Sequence, residues 1–192
     1  EPERGRFCIG LLHANVGTDT GHEPYAPCSL DDLAAASGYD YWALGHVHTR
    51  ALLRRENPVV AYPGNPQGRH INESGERGVY LVEVDDIGGT NVEFRSLEAI
   101  RWDRVDITIE DIENDQALLD AVDECVQDAL GKADGSPLLY RLEFRGRGAI
   151  HANLARPGFI DDVRAGVNKR FGFGSAFAFC ESIEDHSSAD VD

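Results

Sequence analysis

Two short apolar runs, each leading into a histidine, constrain this chain more than any other feature. Phe7-Cys8-Ile9-Gly10-Leu11-Leu12-His13 is too short for a typical helix and does not alternate, so it reads as a strand buried on both faces. Tyr39 to Leu44 reads the same way; Gly45 stops it, and His46-Val47-His48 follows at once. Strands of this kind belong to α/β sheets covered on both sides, where binding groups gather beyond the strand ends. Three imidazoles at two such ends therefore form the first candidate site.

The remaining elements follow from local pattern. Ser29 caps a short helix with Asp31 and Asp32 in its first turn and Gly38 closing it. Pro58 to Tyr62 is a third buried strand, ended by Pro63-Gly64-Asn65-Pro66. Gly78–Val84 and Asn91–Leu97 form a hairpin through Asp86-Ile87-Gly88-Gly89. After Glu98 the character changes. Arg104–Glu110 and Leu138–Arg145 alternate strictly, as strands with one wet face do. Asp115–Leu130 places Leu118, Val122, Cys125, Val126 and Ala129 on one helical face. A second helix runs through Ile160, Val163 and Val167, and Ser175–Ile183 is a last strand. The five acids from Glu181 to Asp192 read as a frayed acidic tail. The expected fold is α/β (α+β), in two domains, 1–100 and 101–192.

Histidine is the commonest protein metal ligand. In extended backbone, His46 and His48 put their Cβ atoms on one side, roughly 7 Å apart. Converging side chains from that spacing reach two ions held about 3.5–4 Å apart. Gly45 permits a close approach that a Cβ would block. By itself the pattern fits an ordinary strand-to-loop exit equally; His13, at the end of a second strand, favours a shared metal site.

Composition narrows the classes. The chain has 34 acidic and 18 basic side chains, for a net charge of −16, and 16 of the bases are arginine. Such a surface repels phosphates and argues against a general nucleic-acid coat. One window departs: Leu139–Phe171 holds seven basic residues against three acidic ones. It is read either as a guide for nucleic acid or as a solvated face. The four cysteines lack any C-x-x-C spacing, which opposes a zinc ribbon or disulfide framework and suits a reducing cytoplasm. No run nears the roughly 20 apolar residues a membrane span needs. Met is absent, even at position 1, so the sequence reads as a piece of a longer protein.

Leu11-Leu12-His13, Tyr41-Trp-Ala-Leu-Gly-His-Val-His48, Tyr62-Pro-Gly-Asn65 and Gly78-Val-Tyr-Leu-Val-Glu-Val84 together resemble the second half of a calcineurin-like metallophosphoesterase. Within that superfamily the pattern is similar to SbcD-type DNA repair exonucleases, and Gln67–Glu73 resembles their YhaO-like branch. The resemblance implies the second half of a β-sandwich flanked by helices, then a small α/β capping domain that binds DNA. It implies two divalent metal ions, usually manganese, with His13 and His46 on one and His48 on the other. It also implies phosphodiester hydrolysis on DNA in a cytoplasmic protein, with an SMC-like ATPase partner and room for a homodimer. The family's earlier Asp-x-His, Gly-Asp and Gly-Asn-His motifs are absent from these 192 residues, so this chain alone is expected to lack the bridging carboxylate, the acid–base group and activity.

Arg50, Arg69 and His70 are candidate substrate contacts; the alternatives are a solvated loop for Arg50, as for Arg54 and Arg55, and a backbone-bonded turn for His70. His22, His151 and His186 show no partner pattern. The rival functions are a calcineurin-like phosphoesterase acting on phosphoproteins or nucleotides, and a non-catalytic partner-binding domain.

Overall fold

The computed structural model describes residues 5–17 and 25–190. The chain divides into two compact units, 1–67 with 76–98, and 68–75 with 99–192. The described residues are mixed α/β, with helices and three separate sheets.

The first unit is built on a four-stranded sheet in the order β1-β2-β4-β3: β1 Ile9–His13, β2 Tyr41–Gly45, β3 Ala51–Arg55 and β4 Val59–Tyr62. β1, β2 and β4 are parallel, and β3 runs antiparallel to β4 with a register shift between Leu52 and Arg54. Helix α1, Leu30–Ala35, starts in a capping box: the Ser29 hydroxyl accepts from the Asp32 amide while the Asp32 carboxylate accepts from the Ser29 amide. Its Leu33 joins Leu44, Val47, Val60 and Tyr62 in one apolar cluster. On the other side Tyr41, Val59 and Ala61 meet Tyr80, Val82 and Val92. Those last three come from the hairpin β5, Gly78–Val84, and β6, Thr90–Ser96. All four residues of β4 are buried, as a strand between two apolar layers must be.

Two expectations need correction here. β1 is not buried on both faces: Ile9 is 62% and Leu11 86% exposed. It lies at the edge of its sheet, where one face has no covering layer among the described residues. Arg54 and Arg55 are not in a loop but on β3, and the Arg54 guanidinium donates to the Glu56 and Asn57 carbonyls.

The second unit has an all-parallel sheet, β7 Arg101–Thr108, β8 Leu138–Arg145 and β9 Ala178–Asp185, in that spatial order. Helix α2, Asp115–Lys132, connects the first pair; α3, His151–Leu154, and α4, Phe159–Phe171, connect the second. Leu118, Val122 and Val126 of α2 and Val163 and Val167 of α4 pack on Val105, Ile107, Leu138, Tyr140, Leu142 and Phe144. The alternate positions of the strands carry charge instead. Glu143, 1% exposed, accepts from Arg104 Nη1 at 2.8 Å and from Arg145, whose Nε also donates to Asp106 at 2.7 Å. The acidic-tail reading is also overturned: Glu181–Asp185 belongs to β9, and the Ser188 amide donates back to the Gly146 carbonyl at 3.0 Å. No helix among the described residues is long and apolar enough to cross a membrane.

Candidate metal centre

Parallel pairing decides where the histidines meet. β1 and β2 are in register with His13 opposite Gly45, so both strands end at one edge and His46 emerges beside His13. An ideal Cβ on Gly45 would sit 3.0 Å from His13 Nδ1, so the glycine makes room for the neighbouring imidazole. The His13 and His46 rings lie edge to face, centroids 5.2 Å apart. His46 holds φ at +95°, a conformation L side chains rarely adopt and one the surrounding structure has to impose. Its Nε2 is shielded from solvent. Tyr25 completes an aromatic trio, 5.6 Å from His13 and stacked 5.7 Å from His46.

Polar groups beneath the rings hold the turns. Buried Asn15 takes the Tyr25 amide on its Oδ1 at 2.5 Å and donates its own amide to the Tyr25 carbonyl at 2.9 Å. The Tyr62 hydroxyl donates to the Ala14 carbonyl at 2.6 Å and accepts from the Val16 amide at 2.9 Å. Burial pushes the Tyr62 phenol up. The His48 carbonyl accepts from Arg77 Nη1, which also donates to Asn65 Oδ1 at 3.0 Å. Tyr25 and Arg77 escaped the sequence reading, which placed Tyr62 at the end of a strand without giving it a role beside the histidines.

A pair of neutral imidazoles suits a first-row divalent ion. Among the described residues, however, no group of three or more His, Cys, Asp or Glu side chains converges as a metal site. What the structure brings together is the His13–His46 pair.

The other candidates have local partners. Arg50 stacks over the Phe94 ring, 3.7 Å from its centroid, and lies 3.5 Å from Glu76. His70 caps the 3₁₀ turn Ile71–Glu73, its Nδ1 accepting from the Asn72 amide at 3.3 Å, and the Arg69 amide donates to Glu73. Arg69 and His70 belong to the second unit. In the basic window, Arg141 pairs with Glu181 and Glu184, Arg145 with Asp106 and Glu143, Arg156 with Asp115, Arg164 with Asp161, and Arg170 with Asp123. His151 Nδ1 is 2.9 Å from Ser187 Oγ, and His186 Nε2 is 3.1 Å from Glu184. His22 lies outside the described residues.

Comparison with known proteins identifies the family. Residues 102–188 match the family model of the metallophosphoesterase YhaO middle domain. The chain is 35% identical over 181 residues, 94% of its length, to a protein of Bacillus subtilis described as the uncharacterized metallophosphoesterase YhaO, of which it covers 43%. It is 27% identical over 129 residues, 61% of its length, to the DNA double-strand break repair protein Mre11 of Methanocaldococcus jannaschii, covering 32% of that relative. The chain thus spans less than half the length of these relatives. The chain belongs to the metallophosphoesterase family, of the YhaO/SbcD type.

Proposed function

We propose that this chain contributes the histidine half of a two-metal phosphodiesterase centre that degrades DNA, with His13 and His46 on one ion and His48 on the other. The observation that carries the reading is the His13–His46 pair, delivered by two parallel strands to one edge with His46 in a strained backbone. A bound pair of divalent cations, manganese in this reading, would polarise the phosphoryl oxygens and hold attacking and leaving groups in line. The chain's own residues bind and orient: Gly45 admits the His13 ring, and Tyr62 and Arg77 fix the backbone on either side. Carboxylate donors between two like-charged ions have to come from outside the described residues.

DNA as substrate draws on the repair relative. The second unit adds little electrostatic attraction, because Arg104, Arg141, Arg145, Arg156, Arg164 and Arg170 are engaged by its own carboxylates and it carries 11 basic against 20 acidic side chains. That balance favours the rival reading, a phosphoesterase for nucleotides or phosphoproteins, over a DNA-gripping second unit. An SMC-like ATPase partner is part of the DNA reading and would be sought by co-purification.

The test assays the full-length protein on linear duplex DNA, single-stranded DNA, nucleotides and a phosphopeptide with Mn²⁺, each beside His46→Ala. Manganese-dependent DNA degradation lost in His46→Ala is the expected result, with none from this chain alone. Hydrolysis of nucleotides without DNA would select the rival, and activity surviving His46→Ala would remove the metal role.

A further inference from the structure

We propose that Tyr62, Gly64 and Asn65, with Arg77, form a bracket that sets the spacing of the two histidine-bearing turns. The inference rests on the metal reading of His13, His46 and His48 and deepens it by naming the positioning residues of that site.

β4 lies beside β2 in the sheet, and its last residue is Tyr62, 2% exposed. The phenol reaches back 48 positions to the Ala14 carbonyl and 46 to the Val16 amide, one bond on each side of buried Asn15. Both its donor and its acceptor capacity are directed at the turn that follows His13, which leaves that turn one arrangement. Two residues further on, Gly64 has φ +81°, and a Cβ there would lie 2.7 Å from the His48 carbonyl oxygen and 3.1 Å from the Arg50 amide. Only glycine lets this turn close on the His48 backbone. Asn65 then holds Arg77 Nη1, and the same nitrogen donates to the His48 carbonyl.

Arg77 is itself fixed. It is 8% exposed, and its backbone amide donates to Glu98 Oε2 at 2.9 Å. A planar guanidinium tied down in this way converts its own orientation into the position of the carbonyl it holds. One short segment after β4 therefore fastens the backbone after His13 directly and the backbone of His48 through an arginine. His46, between those ties, keeps its positive φ because its neighbours are not free to relax it. Tyr62 and Arg77 bond the backbone of the histidine-bearing turns, so they act through the histidines.

The test uses the full-length protein with Mn²⁺ alone as the probe. It follows broadening of the His13, His46 and His48 ring resonances, the Ala14 and His48 carbonyl-carbon shifts, and hydrogen exchange of the Val16 amide. Tyr62→Phe should move the Ala14 shift and speed Val16 exchange tenfold or more while leaving the His48 shift in place. Asn65→Ala and Arg77→Gln should do the reverse. All three should weaken Mn²⁺ binding by about 10–100-fold, as lost outer-shell partners do, with Arg77→Lys recovering part of it. If His46→Ala removes the Mn²⁺ response but the three bracket variants keep wild-type affinity, the bracket is overturned and the metal reading stands. If Mn²⁺ leaves the wild-type rings unchanged, the metal reading falls and the bracket's role falls with it. Should Arg77→Gln not fold, Asn65→Ala keeps the arginine and carries the same expectation.

Discussion

In the first unit β2 and β4 run between two apolar layers, while in the second the parallel strands have helices on one face and ion pairs on the other. Where both faces are apolar, polar side chains have no place along the strand and collect at its end, as His46 does after β2. Where one face is open, polar residues alternate along the strand and neutralise each other. Glu143 sits between Arg104 and Arg145, and Arg141 between Glu181 and Glu184. The first arrangement gathers imidazoles at the strand ends; the second uses its charges on itself. Charge density along the sequence is therefore a poor guide to which arginines stay unneutralised.

The largest effect should come from cutting one core and watching the other. Phe144→Ala empties a fully buried site in the second unit and should cost about 3–5 kcal/mol there. Trp42 lies in the first unit and Trp102 in the second, so single Trp→Phe variants give each unit its own fluorescence signal. A denaturant midpoint that drops for Trp102 alone separates the units; equal drops for both would merge them.

Next is Glu143→Gln. Removing a buried carboxylate leaves two arginines facing each other, but both reach solvent, so the cost should be about 1–3 kcal/mol, below that of a wholly buried pair. A chemical melt in which Glu143→Gln matches wild type would show that the lattice stabilises nothing. Smaller again is the strain at His46. His46→Gly should be about 1–2 kcal/mol more stable than His46→Ala, because glycine accepts φ +95° and alanine does not. Equal thermal stability of the two would mean that the backbone is relaxed there.

The smallest effect is acid sensitivity at the start of α2. Hydrogen bonds from Arg156 and Asn153 hold the Asp115 carboxyl below its ordinary 3.8. A group depressed in the folded state adds stability above its unfolded value and loses it as pH falls through the folded one. Stability should thus decline below about pH 4, and Asp115→Asn should flatten that decline slightly in a pH series of urea melts. Ionic strength acts on the whole chain: with a net charge of −16, its melting temperature should rise from 0.1 M to 1 M KCl as the screening length falls from about 10 Å to about 3 Å.

The hairpin, α2 and the strand-end histidines were legible because periodicity and turn residues report them locally. β3 was not, since Ala51-Leu-Leu-Arg-Arg neither alternates nor keeps register through its irregularity at Leu52. The neutralised arginines were hidden by distance: Arg145 finds Asp106 39 positions away, Arg141 finds Glu181 at 40, and Arg156 finds Asp115 at 41. Arg77 was invisible for the same reason, its target carbonyl being 29 residues upstream. An apolar run also looks the same whether or not a layer covers it, which is why Ile9 and Leu11 were assigned to the interior.

That uncovered strand has a practical consequence for anyone handling the chain in isolation. β1 offers an edge with apolar side chains at Ile9 and Leu11, which is the template on which separate molecules stack strand to strand. Mutual repulsion between chains of charge −16 opposes such stacking in dilute buffer. The salt that tightens the fold also removes that repulsion, so concentrated, high-salt stocks are where turbidity should begin.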